Sequence, residues 1–332
     1  MENAQLLKRI QESIKQNNKR IKIRRLISYT FAACATVALV IGFNILLSEK
    51  GSVAISNETE LITGNLLNSE DIQLITGNDE LSFQNDIEIQ IDEEGKTKIL
   101  QSDTKAEKTV DILKNKINKL VVPYGKRTQL TLSDGSKVWL NSGSVLEFPT
   151  QFSESNREIH LLSGEMYIEV TPDASKSFFV RTTDFNVRVL GTKFNISTYD
   201  DISKSVALLE GSVQLMSQDK SIQLHPNELA VLTEPGKFTT RSANVADLIS
   251  WKDGYLIFNK TPVSDVLTTL ARYYSISFSF ENDIQLKNRT CSGKLSLSND
   301  LDDVMNTIAL LSQTRYTRED KKIYITNKNN TH

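Results

Sequence analysis

A stretch of 22 residues without a single charge, LISYTFAACATVALVIGFNILL from Leu26 to Leu47, constrains this chain more than any other feature. As a helix it would run about 33 Å, enough for the ~30 Å hydrocarbon core of a bilayer. Arg20, Lys22, Arg24 and Arg25 crowd its N-terminal flank, and the positive-inside rule keeps that flank cytoplasmic. The other flank, Ser48-Glu49-Lys50, is mixed. The sequence therefore predicts a single-pass anchor with the N-terminus inside and the bulk of the chain exported. A cleaved signal peptide is the rival reading, but the basic region is long for one and the apolar run exceeds the ~7–15 residues of such a segment. Lipidation at Cys34 fits poorly, because the apolar run continues well past it.

Charge divides about this run. Residues 1–25 carry eight Lys/Arg against Glu2 and Glu12, which leaves 31 bases against 39 acids downstream. Within the basic tail, Leu7, Ile10, Ile14, Asn17 and Ile21 follow the spacing of one helical face. Such a helix can dock into a cytoplasmic partner's groove, lie on the inner leaflet, or pair with itself. The two cysteines, Cys34 in the apolar run and Cys291 far downstream, exclude an intramolecular disulfide across the membrane; Cys291 reads as a small core residue.

Residues 48–120 read as a polar connector with short β pieces. LITGN occurs at 61–65 and again at 74–78, IEIQI at 87–91 alternates ahead of the turn Glu93-Glu94-Gly95-Lys96, and 102–119 is charged. From 121 to 245 the pattern is all β. Short runs such as QLTL (129–132), KVWL (137–140), EIHLL (158–162), MYIEV (166–170) and KFNI (193–196) are separated by turn signals such as Ser133-Asp134-Gly135 and Glu210-Gly211. Further runs lie at 178–180, 186–190, 206–209, 212–215, 221–224 and 228–232. This spacing predicts a sandwich, barrel or β-solenoid.

From 247 to 328 the pattern changes. A strand at 255–260 leads to Thr261-Pro262, read as a helix start, and then to a face of Val263, Val266, Leu267, Leu270 and Tyr274. ISFSF (276–280) returns as a strand. After KLSL (294–297) the unit recurs, with Asn299 as cap, a face of Leu301, Val304, Met305 and Ile308, and strands at 314–317 and 322–326. The helices align at an offset of 38, a duplicated β-α-β unit in a small α+β domain. A domain of this size more often binds another surface than performs chemistry. Trp251, Tyr255 and Phe258 at its start are partner-binding candidates, or else core aromatics.

No enzyme is predicted, and no cofactor. His160, His225 and His332 stand at no metal-ligand spacing, and no nucleophile has an evident base. One pair carries a chemical possibility. In RVLGTKFNI (188–196) a glycine and a threonine, Gly191-Thr192, interrupt a strand-like alternation. A threonine hydroxyl can attack the carbonyl before it, turning amide into ester, when the peptide is strained and the hydroxyl is activated. From the residues alone, the pair reads as a β-bulge with Thr192 at the surface.

Four motifs in series, VPYGKRTQLTLSDGSKVWLNSGSVLEFP (122–149), LLSGEMYIEV (161–170), FNVRVLGTKFNI (185–196) and VALLEGSVQL (206–215), resemble the FecR family of membrane-anchored sigma-factor regulators. WKDGYLIFNKTPVSDVLTTLARYYSISFSF (251–280) is similar to the domain that follows FecR domains in Bacteroidetes-type members. The resemblance implies an inner-membrane anti-sigma factor whose periplasmic part meets the N-terminal signalling domain of a TonB-dependent outer-membrane receptor. Its cytoplasmic part would hold an extracytoplasmic-function sigma factor, with Leu7, Ile10 and Ile14 as the contact residues and no direct contact with nucleic acid. It also makes Gly191 and Thr192 a candidate self-cleavage point. Family members commonly carry a longer helical sigma-binding domain ahead of the anchor, so either the single amphipathic helix suffices here or sigma binding is lost. The alternative is an envelope structural or glycan-binding β protein on the same scaffold, for which residues 1–25 would be replaceable by any basic segment.

Overall fold

Alternation of side chains writes the sheets. In Ile87–Ile91 the isoleucines at 87, 89 and 91 are buried while Gln90 faces solvent, and in Asn186–Val189 the two valines are buried and Arg188 is exposed. The computed structural model of the chain describes residues 59–61, 70–101, 107–110, 117–280, 286–297 and 300–327. The apolar run at 26–47 lies outside the described residues, and among those described no helix is long and apolar enough to cross a membrane.

Two large sheets share one core. The first holds nine strands, in hydrogen-bonded order Lys220–Leu224, Val213–Ser217, Asn186–Val189, Phe178–Arg181, Arg157–Ser163, Ser144–Pro149, Ile117–Val122, Ile72–Thr76 and Asp79–Phe83. The second holds ten: Lys237–Ser242, Glu228–Glu234, Ser205–Glu210, Lys193–Ser197, Glu165–Glu169, Lys137–Leu140, Thr128–Thr131, Ile87–Ile91, Thr97–Gln101 and Glu107–Val110. Leu120, Leu146, Phe148, Phe178 and Val187 from the first sheet pack against Ile89, Leu130, Ile168, Phe194 and Leu208 from the second. The result is a sandwich rather than a closed barrel. The chain enters one sheet, crosses to the other, and advances along both as it goes. Neighbouring strands in these sheets are antiparallel except for Arg157–Ser163 with Phe178–Arg181 and Ile87–Ile91 with Thr128–Thr131.

The predicted strands between 129 and 232 all appear, within two residues at each end. The β pieces read between 70 and 110 are strands of the same two sheets, with Ile72, Leu74, Ile89 and Ile99 in the common core. The hairpin expected after Ile87 is formed, Ile89 opposite Ile99. The first LITGN begins at the strand Thr59–Leu61, and its remaining residues lie outside the described part; the second supplies a strand and its turn.

Where the ten-stranded sheet loses its alternation, both faces are covered. Met166, Tyr167 and Ile168 are buried in succession, as are Val206, Ala207 and Leu208. Tyr167, Ala207 and Leu229 on the outer face belong to a second core, with Val245, Ile249, Trp251 and Leu256. That core is the C-terminal domain. It contains helices α1 (Val245–Leu248), α2 (Val263–Tyr274) and α3 (Leu301–Ser312). Strand Tyr255–Pro262 pairs with Thr290–Ser296, and a four-stranded sheet runs Thr59–Leu61, Ser277–Phe280, Lys322–Asn327, Thr314–Glu319.

The duplication is visible in three dimensions. Helices α2 and α3 begin and end 38 residues apart, each stops at a left-handed residue (Ser275, Gln313), and Thr269 and Thr307 each bond back to the carbonyl four residues earlier. Their starts differ from expectation. Thr261 and Pro262 are the last residues of a strand, paired with Cys291 and Thr290, so α2 begins at Val263 with no side-chain cap. Proline's fixed φ and missing N–H suit this strand end directly before a helix. The cap of α3 is Asp300, whose carboxylate accepts from the Asp302 amide at 2.8 Å; Asn299 lies outside the described residues.

Candidate functional site at the domain seam

The Gly191-Thr192 pair is a crossover, not a bulge. Val189 ends a strand of the nine-stranded sheet and Lys193 starts one of the ten-stranded sheet, so the pair carries the chain through the sandwich. Gly191 does not need a positive φ; it needs room, since a Cβ there would come within 2.6 Å of Pro172 Cα. Thr192 is buried rather than at the surface. Its hydroxyl donates to the Ser212 carbonyl at 3.0 Å and its own carbonyl accepts from the Val170 amide. A peptide carbonyl accepts a hydrogen bond but does not take up a proton near neutral pH, so this partner holds the hydroxyl without activating it.

Arg157 fixes the same corner. The buried guanidinium donates to Asp134 Oδ2 and to the carbonyls of Thr171, Lys176 and Leu190, at 2.7 to 3.2 Å, and lies over the Phe178 ring. One side chain thus ties two crossover segments and a hairpin turn together.

Of the remaining residues singled out in the sequence, Leu7, Ile10 and Ile14 lie outside the described part. Trp251 is buried in the second core, on a 3-10 turn (Ser250–Asp253). Phe258 is half-buried against that core, and the Tyr255 ring carries the Lys294 ammonium 3.6 Å from its centre. Cys291 is a free, half-buried thiol beside the same core. Among the described residues no group of three or more His, Cys, Asp or Glu could hold a metal ion. His160 and His225 instead sit beside Glu158 and Glu228.

What the structure assembles is a polar seam between sandwich and C-terminal domain. Gly125, in the loop after strand Ile117–Val122, has φ of +80° and donates its amide to the Arg272 carbonyl in the last turn of α2. Arg127 donates to the Trp251 carbonyl at 2.8 Å and lies over the Tyr273 ring. Arg272, itself buried, pairs with Asp201 and stacks 4.0 Å from the Tyr199 ring centre. Every one of these links joins a residue before 202 to one after 250.

Behind them lies a cavity of about 280 Å³. Glu165 contributes a carboxylate whose two oxygens accept the amides of Asn141 (2.8 Å) and Asn195 (2.9 Å). Enclosure pushes the Glu165 carboxyl above its ordinary range, against the pull of the two amides and of Arg272. The Trp251 indole N–H faces the same carboxylate without closing to hydrogen-bond length. Burial likewise raises the Tyr199 phenol, with Glu165 adding to the effect. Asn195 Oδ1, Ser197 Oγ, Trp251 Nε1 and Arg272 Nε, all on residues lining the cavity, have no hydrogen-bond partner in the protein. A buried polar atom in that state costs about 1–3 kcal/mol, so this wall is far from an inert interface.

Sequence reasoning named Trp251 and Phe258 but missed Glu165, Asn141, Asn195 and Arg272. One signal was there to be read: Phe194-Asn195-Ile196 puts an amide inside a run that is buried on both faces.

The family described as FecR protein matches residues 118–214, and the one described as FecR, C-terminal matches 255–325. The chain belongs to the FecR family. It is similar to a candidate anti-sigma factor from Parabacteroides distasonis, known from crystal structures at 1.65 and 2.50 Å. Both are 28% identical to it, with TM-scores of 0.57 and 0.58, and the matches cover 63% and 64% of this chain and 98% and 99% of theirs. No curated protein is significantly similar to it.

Proposed function

We propose that the chain is a single-pass inner-membrane regulator of the anti-sigma type, anchored by residues 26–47, with its basic tail in the cytoplasm and its β domains in the periplasm. The observation that carries this reading is the order of parts on one chain: a FecR match, a FecR C-terminal match joined to it by the seam, and likeness to a candidate anti-sigma factor. In this reading the tail helix, through Leu7, Ile10 and Ile14, holds an extracytoplasmic-function sigma factor. The C-terminal domain receives the N-terminal signalling domain of a TonB-dependent receptor. Support for a receiving surface comes from the second repeat, where Leu310 and Leu311 are 74% and 60% exposed beside the strand Thr314–Glu319. Among the described residues that strand has no neighbour on its outer edge, a place where a partner strand adds.

The test has two ends. Leu7, Ile10 and Ile14 changed together to Ala should derepress a sigma-dependent reporter, and an unchanged reporter removes the tail from the scheme. The exported part should retain a receptor's signalling domain in a pull-down, and Leu310→Asp should release it. For Gly191-Thr192, burial and the Ser212 bond favour a joint over a scissile peptide. Intact-mass spectrometry of the full chain should return one species, whereas a fragment ending at Gly191, lost in Thr192→Ala, would reverse that assignment.

A further inference from the structure

The four-stranded sheet of the C-terminal domain has two unlike edges. At the 38-residue offset Ser277–Phe280 corresponds to residues 315–318, inside the strand Thr314–Glu319, and these two equivalent strands flank the central strand Lys322–Asn327. Among the described residues Thr314–Glu319 ends the sheet on its side. The other side is closed by Thr59–Leu61, which runs antiparallel to its neighbour, with Thr59 opposite Phe280, Glu60 opposite Ser279 and Leu61 opposite Phe278. This closing strand comes from ahead of the sandwich, whereas the rest of the sheet follows it in the chain.

A second tie lies just downstream. Lys321 Nζ meets Glu70 Oε1 at 2.6 Å, and the Lys321 carbonyl accepts from the Ser277 amide. The ion pair therefore sits at the end of Ser277–Phe280 toward which Thr59–Leu61 runs. Ile72 then enters the nine-stranded sheet. This closure is thin. Three residues are paired, against six between Thr314–Glu319 and its neighbour, and both partners of the ion pair are exposed, where water and salt screen them. The edge beneath does need cover: Phe278 and Ser279 are buried, and an open strand edge presents unpaired N–H and C=O groups. An extended segment from elsewhere can answer the same edge, because main-chain hydrogen bonds supply the affinity.

We propose that the outer edge of Ser277–Phe280 is a strand-addition site held by the chain's own segment Thr59–Leu61, and that this segment is a releasable strap. The consequence is one of reach. In the reading above the bilayer segment ends at Leu47. With the strap paired, the 12 steps from Leu47 to Thr59 span at most about 43 Å; with it released, the first strand is Ile72–Thr76, and the 25 steps from Leu47 to Ile72 span about 90 Å. Exchange of the strap for a strand supplied by another protein thus lets the sandwich and C-terminal domain stand about twice as far from the membrane. The pairing is independent of the anchor, and only the change of reach rests on that reading.

The experiment uses the full chain with Cys34→Ser and Cys291→Ser, in detergent micelles and in nanodiscs. Glu60→Cys with Ser279→Cys should oxidise to an intramolecular disulfide, while Glu60→Cys with Thr317→Cys, two strands further along the sheet, should not. Thr59→Gly, Glu60→Pro and Leu61→Gly together should speed amide hydrogen exchange of Ser277–Phe280 about tenfold and leave Ile117–Val122 unchanged. A fluorescent peptide copying residues 56–64 should bind this triple variant about tenfold more tightly than the oxidised pair. In nanodiscs, energy transfer from a lipid-headgroup dye to a dye on Leu310→Cys should fall in the triple variant. Absence of the first cross-link, unaltered exchange at Ser277–Phe280, or a peptide that binds neither form or both alike overturns the strap. Should the triple variant fail to fold by circular dichroism, the cross-link and its control carry the test. Unchanged energy transfer overturns the change of reach alone. A chain that does not enter nanodiscs overturns the anchor and the reach together, and the cross-link still decides the pairing.

Discussion

Helices α2 and α3 hold equivalent places in a duplicated unit, yet their last turns meet different surroundings. At the 38-residue offset Arg272 and Tyr273 correspond to Leu310 and Leu311. The first pair is pressed onto the sandwich, where Arg272 finds Asp201 and the Tyr199 ring and Tyr273 finds Arg127. The second pair is exposed and apolar. Inward faces of both helices, by contrast, are alike: Val266, Leu267 and Leu270 against Val304, Met305 and Ile308, all buried. Duplication has kept what folds the unit and changed what it shows to others. A polar last turn suits a contact made within the chain, and an apolar one suits a contact supplied from outside.

Leu267→Ala and Met305→Ala probe the shared part of this comparison. Each should cost about 3 kcal/mol in urea unfolding, and a large difference between them would mean that the two repeats are not energetically equivalent. The divergent part comes next. Arg272→Ala strips a buried partner from Asp201 and should cost about 2 kcal/mol, somewhat below a fully enclosed pair because Asp201 is partly exposed. Leu310→Ala should change stability by less than about 0.5 kcal/mol while weakening partner capture. Asp300→Ala, removing a cap that α2 never had, should cost about 1 kcal/mol.

The last expectation is a pH dependence. The Glu165 carboxyl titrates above its reference value of 4.5, so the folded state holds its proton more tightly than the unfolded one. This contribution is fully present below pH 4.5 and is lost as pH rises through the raised folded value. Thermal unfolding followed across that range should show the decline, and Glu165→Gln should flatten it.

Much of the sandwich was legible because period-two alternation is a local signal. KVWL and KFNI announce themselves within a few residues. Strand Ser144–Pro149 was not, since its first half does not alternate: Ser144, Val145 and Leu146 are buried in succession and proline closes it. Lys237–Ser242 is an exposed edge with almost no apolar residue to betray it. RVLGTKFNI misleads for a different reason, because two strands in different sheets read as one when the crossover is only three residues long. The seam was the least legible part. Asn141, Glu165, Asn195 and Arg272 are far apart in the chain, each unremarkable in its own segment, and only the fold brings them onto one cavity.

The way the chain zigzags between the two sheets has a consequence for how such a protein can vary. The FecR match, 118–214, takes in the middle strands of both sheets, while the strands at 72–110 and 220–242 are added at the two lateral ends. A two-layer slab built in this manner can be lengthened or trimmed hairpin by hairpin at its flanks, much as a wall is extended by courses, without disturbing the central joint at Arg157 or the face on which the C-terminal domain rests.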